Sequence, residues 1–410
     1  MGRARALACI LATSSIGMSQ QQYVDLLARL TAPNPLDVLN RIKVEKPPSY
    51  KPPRRMFITG GIKPVDLYCY LYARFGPPNG MQSFLRSNDS HNVFHWHYSL
   101  WAGDHGIDIM AGTYKIEVWY PEAFCYSDRP LEDFVAAIAS DLAAYDKSIN
   151  EIKAKLEKWL MFANPFHRLQ LALEGMLSRA GELLETTKHP PKQPTTAEES
   201  KAFGKLFQPI ANASYEAFGL CRSVRMLLPV VAETFVNFLI YVLCKPEIKA
   251  DKRLYENVKR APIDIRIKSL SHNCIGFARP INYDSEVCKR IHKIFSNRNN
   301  FLHGNITPEQ DSHETVFFNG TVPLFTEWKN FYERCFAAQL KSKDYEAAIG
   351  EMADVSAFTE EVLGCLTSRV AAEMRRVLNG GELGFNPDTR RIGLLFPNVL
   401  MDYIVEFDQR

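Results

Sequence analysis

The spacing of apolar positions divides the chain into an N-terminal stretch of mixed character and a longer, mainly helical remainder. Tyr23, Leu26, Leu27 and Leu30 recur at helical intervals and predict one amphipathic helix within residues 20–44. A run rich in Pro, Lys and Arg, from Lys46 to Arg55, reads as a linker. Helical spacing returns near Pro64–Phe75. Val93–Leu100 then alternates as a strand does, and Gly106–Tyr120 reads as a hairpin turning at Ala111-Gly112. Residues 130–187 predict two long helices broken near Asn164-Pro165, and His189–Ser200 is a polar linker. Further helices are predicted near 205–243, 264–278, 285–303 and 354–378. A hairpin is inserted at Thr315–Phe325, turning at Asn319-Gly320, and a helix follows at Glu327–Leu340. Ile392–Phe396 and Tyr403–Phe407 read as strands returning to a sheet, with the N-terminal sheet as the candidate.

The expected fold class is α+β, with a smaller N-terminal α+β module built on an antiparallel sheet and a mainly α-helical C-terminal bundle carrying the inserted hairpin. The organisation read from the breaks is an N-terminal helix and linker (1–54), the α+β module (55–127), long helices and a polar linker (128–199), the bundle (200–380) and C-terminal strands (381–410).

One helix of the bundle carries unusual polar residues. Asp284 and Ser285 are good N-cap types, and Val287, Ile291, Ile294, Phe301 and Leu302 predict one buried stripe. Arg298 falls in phase with that stripe, so it needs a partner, an interface or a cleft. His303 lies about 140° further round, and Gly304 follows as a natural C-cap. An imidazolium at a helix C-terminus is favoured by the dipole, typically by ~0.3–1 kcal/mol. Two other Arg-to-His spacings, Arg86 to His91 and Arg266 to His272, lack this setting. The first spans a polar, turn-forming run, and the second has neither the polar follower nor the terminating glycine.

The run Asn297-Arg298-Asn299-Asn300-Phe301-Leu302-His303-Gly304 resembles the signature of HEPN domains, helical bundles common in bacterial toxin and antiviral ribonucleases. Arg298, Asn299 and His303 match the family pattern of Arg, a polar residue, a short spacer and His. The resemblance covers about residues 205–380, and its specific part is these eight residues. It implies a homodimer in which two copies of the motif build one metal-independent RNA-cleaving site, with no cofactor. It further implies a toxin or abortive-infection effector of antiphage defence, regulated by its N-terminal module and answering to an antitoxin or a phage trigger protein.

The residue chemistry suits that expectation. RNA carries its own nucleophile, the 2′-hydroxyl, beside the scissile phosphate. A histidine that moves the proton supplies ~10²–10⁴-fold in rate. An arginine fork matches the growing charge on the phosphoryl group, and Asn299 is placed to orient either partner. The expected products are a 2′,3′-cyclic phosphate and a 5′-hydroxyl. Glu233 and Asn237, four residues apart on one apolar helix, are the expected support for Arg298. Residues 226–244 are nearly long enough to span a bilayer, but Pro229, Glu233, Thr234 and Asn237 fit a central bundle helix, and no membrane association is expected.

Net charge is only +3, so no global field announces nucleic acid. Locally, eight basic residues stand against four acidic ones between Lys245 and Lys268. Lys252, Arg253, Lys259, Arg260 and Arg266 are the candidate RNA-binding rim. The nine cysteines are scattered, which suits reduced, buried thiols. Arg3 and Arg5 precede only a short apolar stretch, Ala6–Ala12, and a cytoplasmic location is expected.

Two other readings stay open. One is a catalytically inactive HEPN-like bundle that binds protein or nucleotide. The other is a metal-dependent hydrolase centred on His95 and His97, with His91, His105 or an aspartate as third ligand, although those histidines lie amid Phe94, Trp96, Tyr98 and Trp101.

Overall fold

The computed structural model describes residues 18–43, 51–81, 94–112, 114–303 and 312–395. It is mixed α+β, mainly helical, with small antiparallel sheets. The chain separates into two units, one of residues up to Trp159 with Asn386–Thr389, the other of Leu160–Phe385 with Arg390–Leu394. Residues 128–159 therefore belong with the N-terminal unit, whereas periodicity groups them with the helices that follow.

In the first unit, strands β1 (Arg54–Ile58), β2 (Trp96–Ala102), β3 (His105–Ala111) and β4 (Ile116–Tyr120) form an antiparallel sheet in the order β1-β4-β3-β2. The predicted hairpin is β3-β4, closed by Gly112 N–H to Lys115 O at 3.0 Å. Strand β1 forms at the end of the predicted linker. Its backbone pairs with β4, and Arg55 reaches the buried Glu117 with both nitrogens, at 2.7 and 2.6 Å. Helices α1 (Met18–Arg29), α3 (Pro64–Phe75), α4 (Pro130–Asp141) and α5 (Asp146–Lys155) share a core with one sheet face. The predicted stripe Tyr23, Leu26, Leu27 and Leu30 is buried there against Tyr98, Leu100, Ile109, Val118 and Tyr120. A short helix α2 (Pro35–Lys43) completes the unit. The outer edge of β2 is covered rather than open. Asn79 gives and takes hydrogen bonds at the Ser99 backbone (2.9 and 3.0 Å), and Gly80 N–H donates to His97 O at 2.9 Å.

The second unit is built around α7 (Ala197–Leu243), which starts four residues inside the predicted polar linker. The reason is a capping box: Thr196 accepts from Glu199 N–H while the Glu199 carboxylate accepts from Thr196 N–H. Helices α6 (Pro165–Thr187), α10 (Ile263–Asn273), α11 (Glu286–His303) and α14 (Asp344–Leu363) pack on α7, and α15 (Ser368–Asn379) packs on α6. The single helix predicted at 354–378 is thus two, α14 and α15, with Cys365 and Leu366 between them in the core. The helix predicted at Glu327–Leu340 is likewise two short pieces, α12 (Phe331–Cys335) and α13 (Ala337–Ser342). Arg225 of α7 binds Asp344 (2.5 Å) and Glu351 (3.0 and 3.1 Å), which pins α14 to the central helix. Two short helices, α8 (Pro246–Ala250) and α9 (Lys252–Arg260), occupy the basic stretch. Among the described residues one helix, α7, is long and apolar enough to cross a bilayer, and most of its apolar positions from Leu228 to Leu243 lie in the core of this unit.

The break near Asn164-Pro165 is a strand-to-helix junction. Strand β5 (Leu160–Ala163) precedes α6 and pairs with β8 (Glu382–Phe385), which pairs with β9 (Ile392–Leu394). The C-terminal strands so join a sheet of the second unit rather than the N-terminal sheet, because β5 supplies the free edge. Phe396 and Tyr403–Phe407 lie outside the described residues. The inserted hairpin is β6 (Val316–Asn319) and β7 (Val322–Phe325), joined through Gly320 and Thr321.

Candidate functional site

Helix α11 begins where Ser285 Oγ accepts from Cys288 N–H at 3.3 Å. Its buried stripe is Cys288, Ile291, Ile294 and Phe295. The expected stripe breaks at Leu302, which is 62% exposed because the last turn outruns the helices packed on α11. The side chain of Phe301 and the expected cap Gly304 lie outside the described residues.

Arg298 sits where the stripe meets solvent, half-buried. Its Nε donates to Asn299 Oδ1 at 3.2 Å, and its guanidinium lies 5.9 Å from the Phe295 ring centroid. Among the described residues no carboxylate pairs with it. Asn299 and His303 are exposed, and His303 stands on the last residue of the helix. Arg298 and Asn299 are therefore brought together. His303 is one and a half turns away, on a different face of the same helix.

Glu233 and Asn237 do not serve Arg298. They hold Arg266 of α10, whose Nη2 binds Glu233 Oε1 and whose Nη1 binds Asn237 Oδ1. Arg266 is only 7% exposed, so it is a structural cation of the α7–α10 contact and leaves the candidate RNA-binding rim. Burial demanded a carboxylate for an arginine in the bundle. Two arginines were in sequence reach of that demand, and α10 lies against α7 where Glu233 and Asn237 project. The other four basic candidates remain on the surface. Lys252 and Arg253 open α9, and Lys259 and Arg260 close it, both paired to Glu256 at 2.6 and 3.2 Å. The main neighbours of α9 are α8 and α10, whereas those of α11 are α7 and α14.

The histidines of the N-terminal sheet have other work. His97 Nδ1 accepts from Met81 N–H at 2.9 Å, and its Nε2 donates to Asp108 at 3.1 Å, so both ring nitrogens are engaged. A Cβ at Gly80 would lie 2.2 Å from that ring, which fixes glycine there. His105 packs edge-on against Phe124 near the opposite end of β2 and β3. Burial holds the His95 pKa below its ordinary value. Among the described residues no group of three His, Cys, Asp or Glu is placed to hold a metal ion. His91, like Arg86, lies outside the described residues.

A feature that periodicity did not single out is a cleft of about 210 Å³ lined by Pro190, Pro191, Phe203, Phe207, Phe331 and Tyr332 among others. Its signal in sequence was Phe203 and Phe207 at i,i+4 beside a Pro-Pro pair. It is smaller than the ~300–1,000 Å³ of typical ligand pockets. Comparison of the chain with protein-family models, curated proteins and solved structures finds no match.

Proposed function

We propose that this protein is a metal-independent endoribonuclease of HEPN type, a cytoplasmic toxin or antiphage effector whose N-terminal unit regulates it. The supporting observation is Arg298: a half-buried guanidinium near the end of a bundle helix, aligned by Asn299, with no carboxylate among the described residues to neutralise it. Such a fork suits a bidentate phosphate contact. His303, exposed on the final turn, is available to move the 2′-hydroxyl or 5′-oxygen proton. One helix carries the two groups about 140° apart, so convergence on one phosphate calls for two copies of the chain. The exposed basic helix α9 is the secondary phosphate contact in this reading.

A non-catalytic HEPN-like module that binds protein or nucleotide is the second reading. It is favoured by the loss of Glu233 and Asn237 to Arg266, which leaves the motif without the expected carboxylate.

Incubation of structured RNA and tRNA with wild-type, Arg298→Ala and His303→Ala proteins, each with and without EDTA, separates the two. The ribonuclease reading expects EDTA-resistant cleavage with 2′,3′-cyclic phosphate ends, reduced at least ~10²-fold in each variant. Wild-type activity that survives both substitutions removes the reading, and RNA binding without cleavage favours the second.

A further inference from the structure

The hairpin β6-β7 is apolar on both faces and exposed on both. Phe317 and Leu324, paired across it, are 60% and 50% exposed, and on the other face Phe318 and Phe325 are 66% and 52% exposed. Trp328, just beyond, is fully exposed. Thr315–Thr326 contains no charged residue. A lone two-stranded hairpin is marginal in water, and an exposed patch of this kind marks an interaction site.

The two edges of the hairpin are not equivalent. The register pairs Asn319 with Val322, Phe318 with Pro323, Phe317 with Leu324 and Val316 with Phe325. Pro323 has no N–H to give, so the paired bonds of the ladder fall on Asn319–Val322 and Phe317–Leu324. The backbone groups of Phe318 and Val316 on β6, and of Pro323 and Phe325 on β7, then point outward. Proline blunts the β7 edge, whereas the β6 edge keeps both donors and both acceptors.

We infer that a second copy of this chain docks here, its β6 strand antiparallel to the first. The β6 edge is self-complementary. Val316 of each copy exchanges two hydrogen bonds with Phe318 of the other, and the two Phe317 side chains meet at the twofold axis. The product is a four-stranded sheet, β7-β6-β6-β7, whose strands carry no charged residue; the nearest guanidinium, Arg334 over the Phe325 ring, is paired with Glu314. Along the seam Phe317 packs on its twin and Val316 on Phe318 of the other copy, so exposed apolar side chains nearest the β6 edge gain cross-strand neighbours. This contact rests on the hairpin alone and not on the ribonuclease reading.

Sedimentation velocity of the full chain tests it independently of activity. Wild type is expected at twice the 46.7 kDa chain mass. Phe317→Lys and Phe317→Glu place like charges face to face across the axis, so each alone is expected to be monomeric and an equimolar mixture to dimerise. Phe318→Pro, which removes an outward N–H and an aromatic ring at the seam without touching the bonds of the hairpin's own ladder, is expected to weaken the dimer at least tenfold. Restored association in the mixture also shows that the single variants are folded. A monomeric wild type, whether or not it binds lipid vesicles or another protein, overturns the proposal. So does a dimer indifferent to Phe317→Lys, or a mixture that stays monomeric.

Discussion

At the scale of single residues, the fate of each charged side chain depends on whether burial finds it a partner. Arg266 is enclosed and held by Glu233 and Asn237, while Arg298, twelve residues beyond the first residue of α11, has no carboxylate partner among the described residues. Glu233→Gln leaves the buried guanidinium uncompensated and is expected to destabilise the second unit by about 3 kcal/mol. Replacing both partners, as Glu233→Leu with Arg266→Met, is expected to recover most of that loss in urea titrations, since no buried charge is then stranded. Glu117 gives a pH signature. Its hydrogen bonds with Arg55, reinforced by Lys115, hold its carboxyl below the usual glutamate range against the opposing effect of burial. A depressed folded-state pKa contributes stability that is complete above the unfolded value near ~4.3 and is lost as pH falls through the folded one. Stability of Glu117→Gln measured against pH is therefore expected to lack this acid-side component and to approach that of wild type at low pH.

At the scale of elements, caps and junctions decide what periodicity leaves ambiguous. Asn164 is wholly buried between strand β5 and helix α6. Its Oδ1 accepts from Phe166 and His167 N–H at 3.1 and 3.4 Å, capping α6. Its Nδ2 donates to the carbonyls of Val377, Leu378 and Gly380 at 2.9–3.1 Å, closing the C-terminus of α15. One amide thus satisfies the ends of two helices 213 residues apart in sequence. Loss of an N-cap costs typically ~1 kcal/mol, and each buried group stranded adds ~1–3 kcal/mol. Asn164→Ala is expected to cost about 2–4 kcal/mol in denaturant unfolding, with hydrogen exchange accelerating at both helix ends. The Asn-Pro dipeptide signalled the break in the helical pattern, since a capping residue and a proline at N1 are local. Its bonds to α15 were invisible because they link segments far apart along the chain.

At the scale of the whole molecule, the sequence by itself determined the α+β class, the amphipathic helices and the β3-β4 and β6-β7 hairpins, the turn of the latter lying one residue beyond the Asn319-Gly320 expected. Each follows from a period or a turn residue within a few positions. It also singled out Arg298, Asn299 and His303 as polar side chains carried near the end of one helix. Tertiary structure decided the rest. It assigned Glu233 and Asn237 to Arg266, gave the C-terminal strands to β5, engaged both nitrogens of His97 and left apolar side chains on both faces of the inserted hairpin largely exposed. Periodicity reports which residues must be buried or exposed, but not which neighbour buries them. A buried charge accepts any correctly placed counter-charge, and a strand accepts any free edge. Those choices belong to the packing of distant segments.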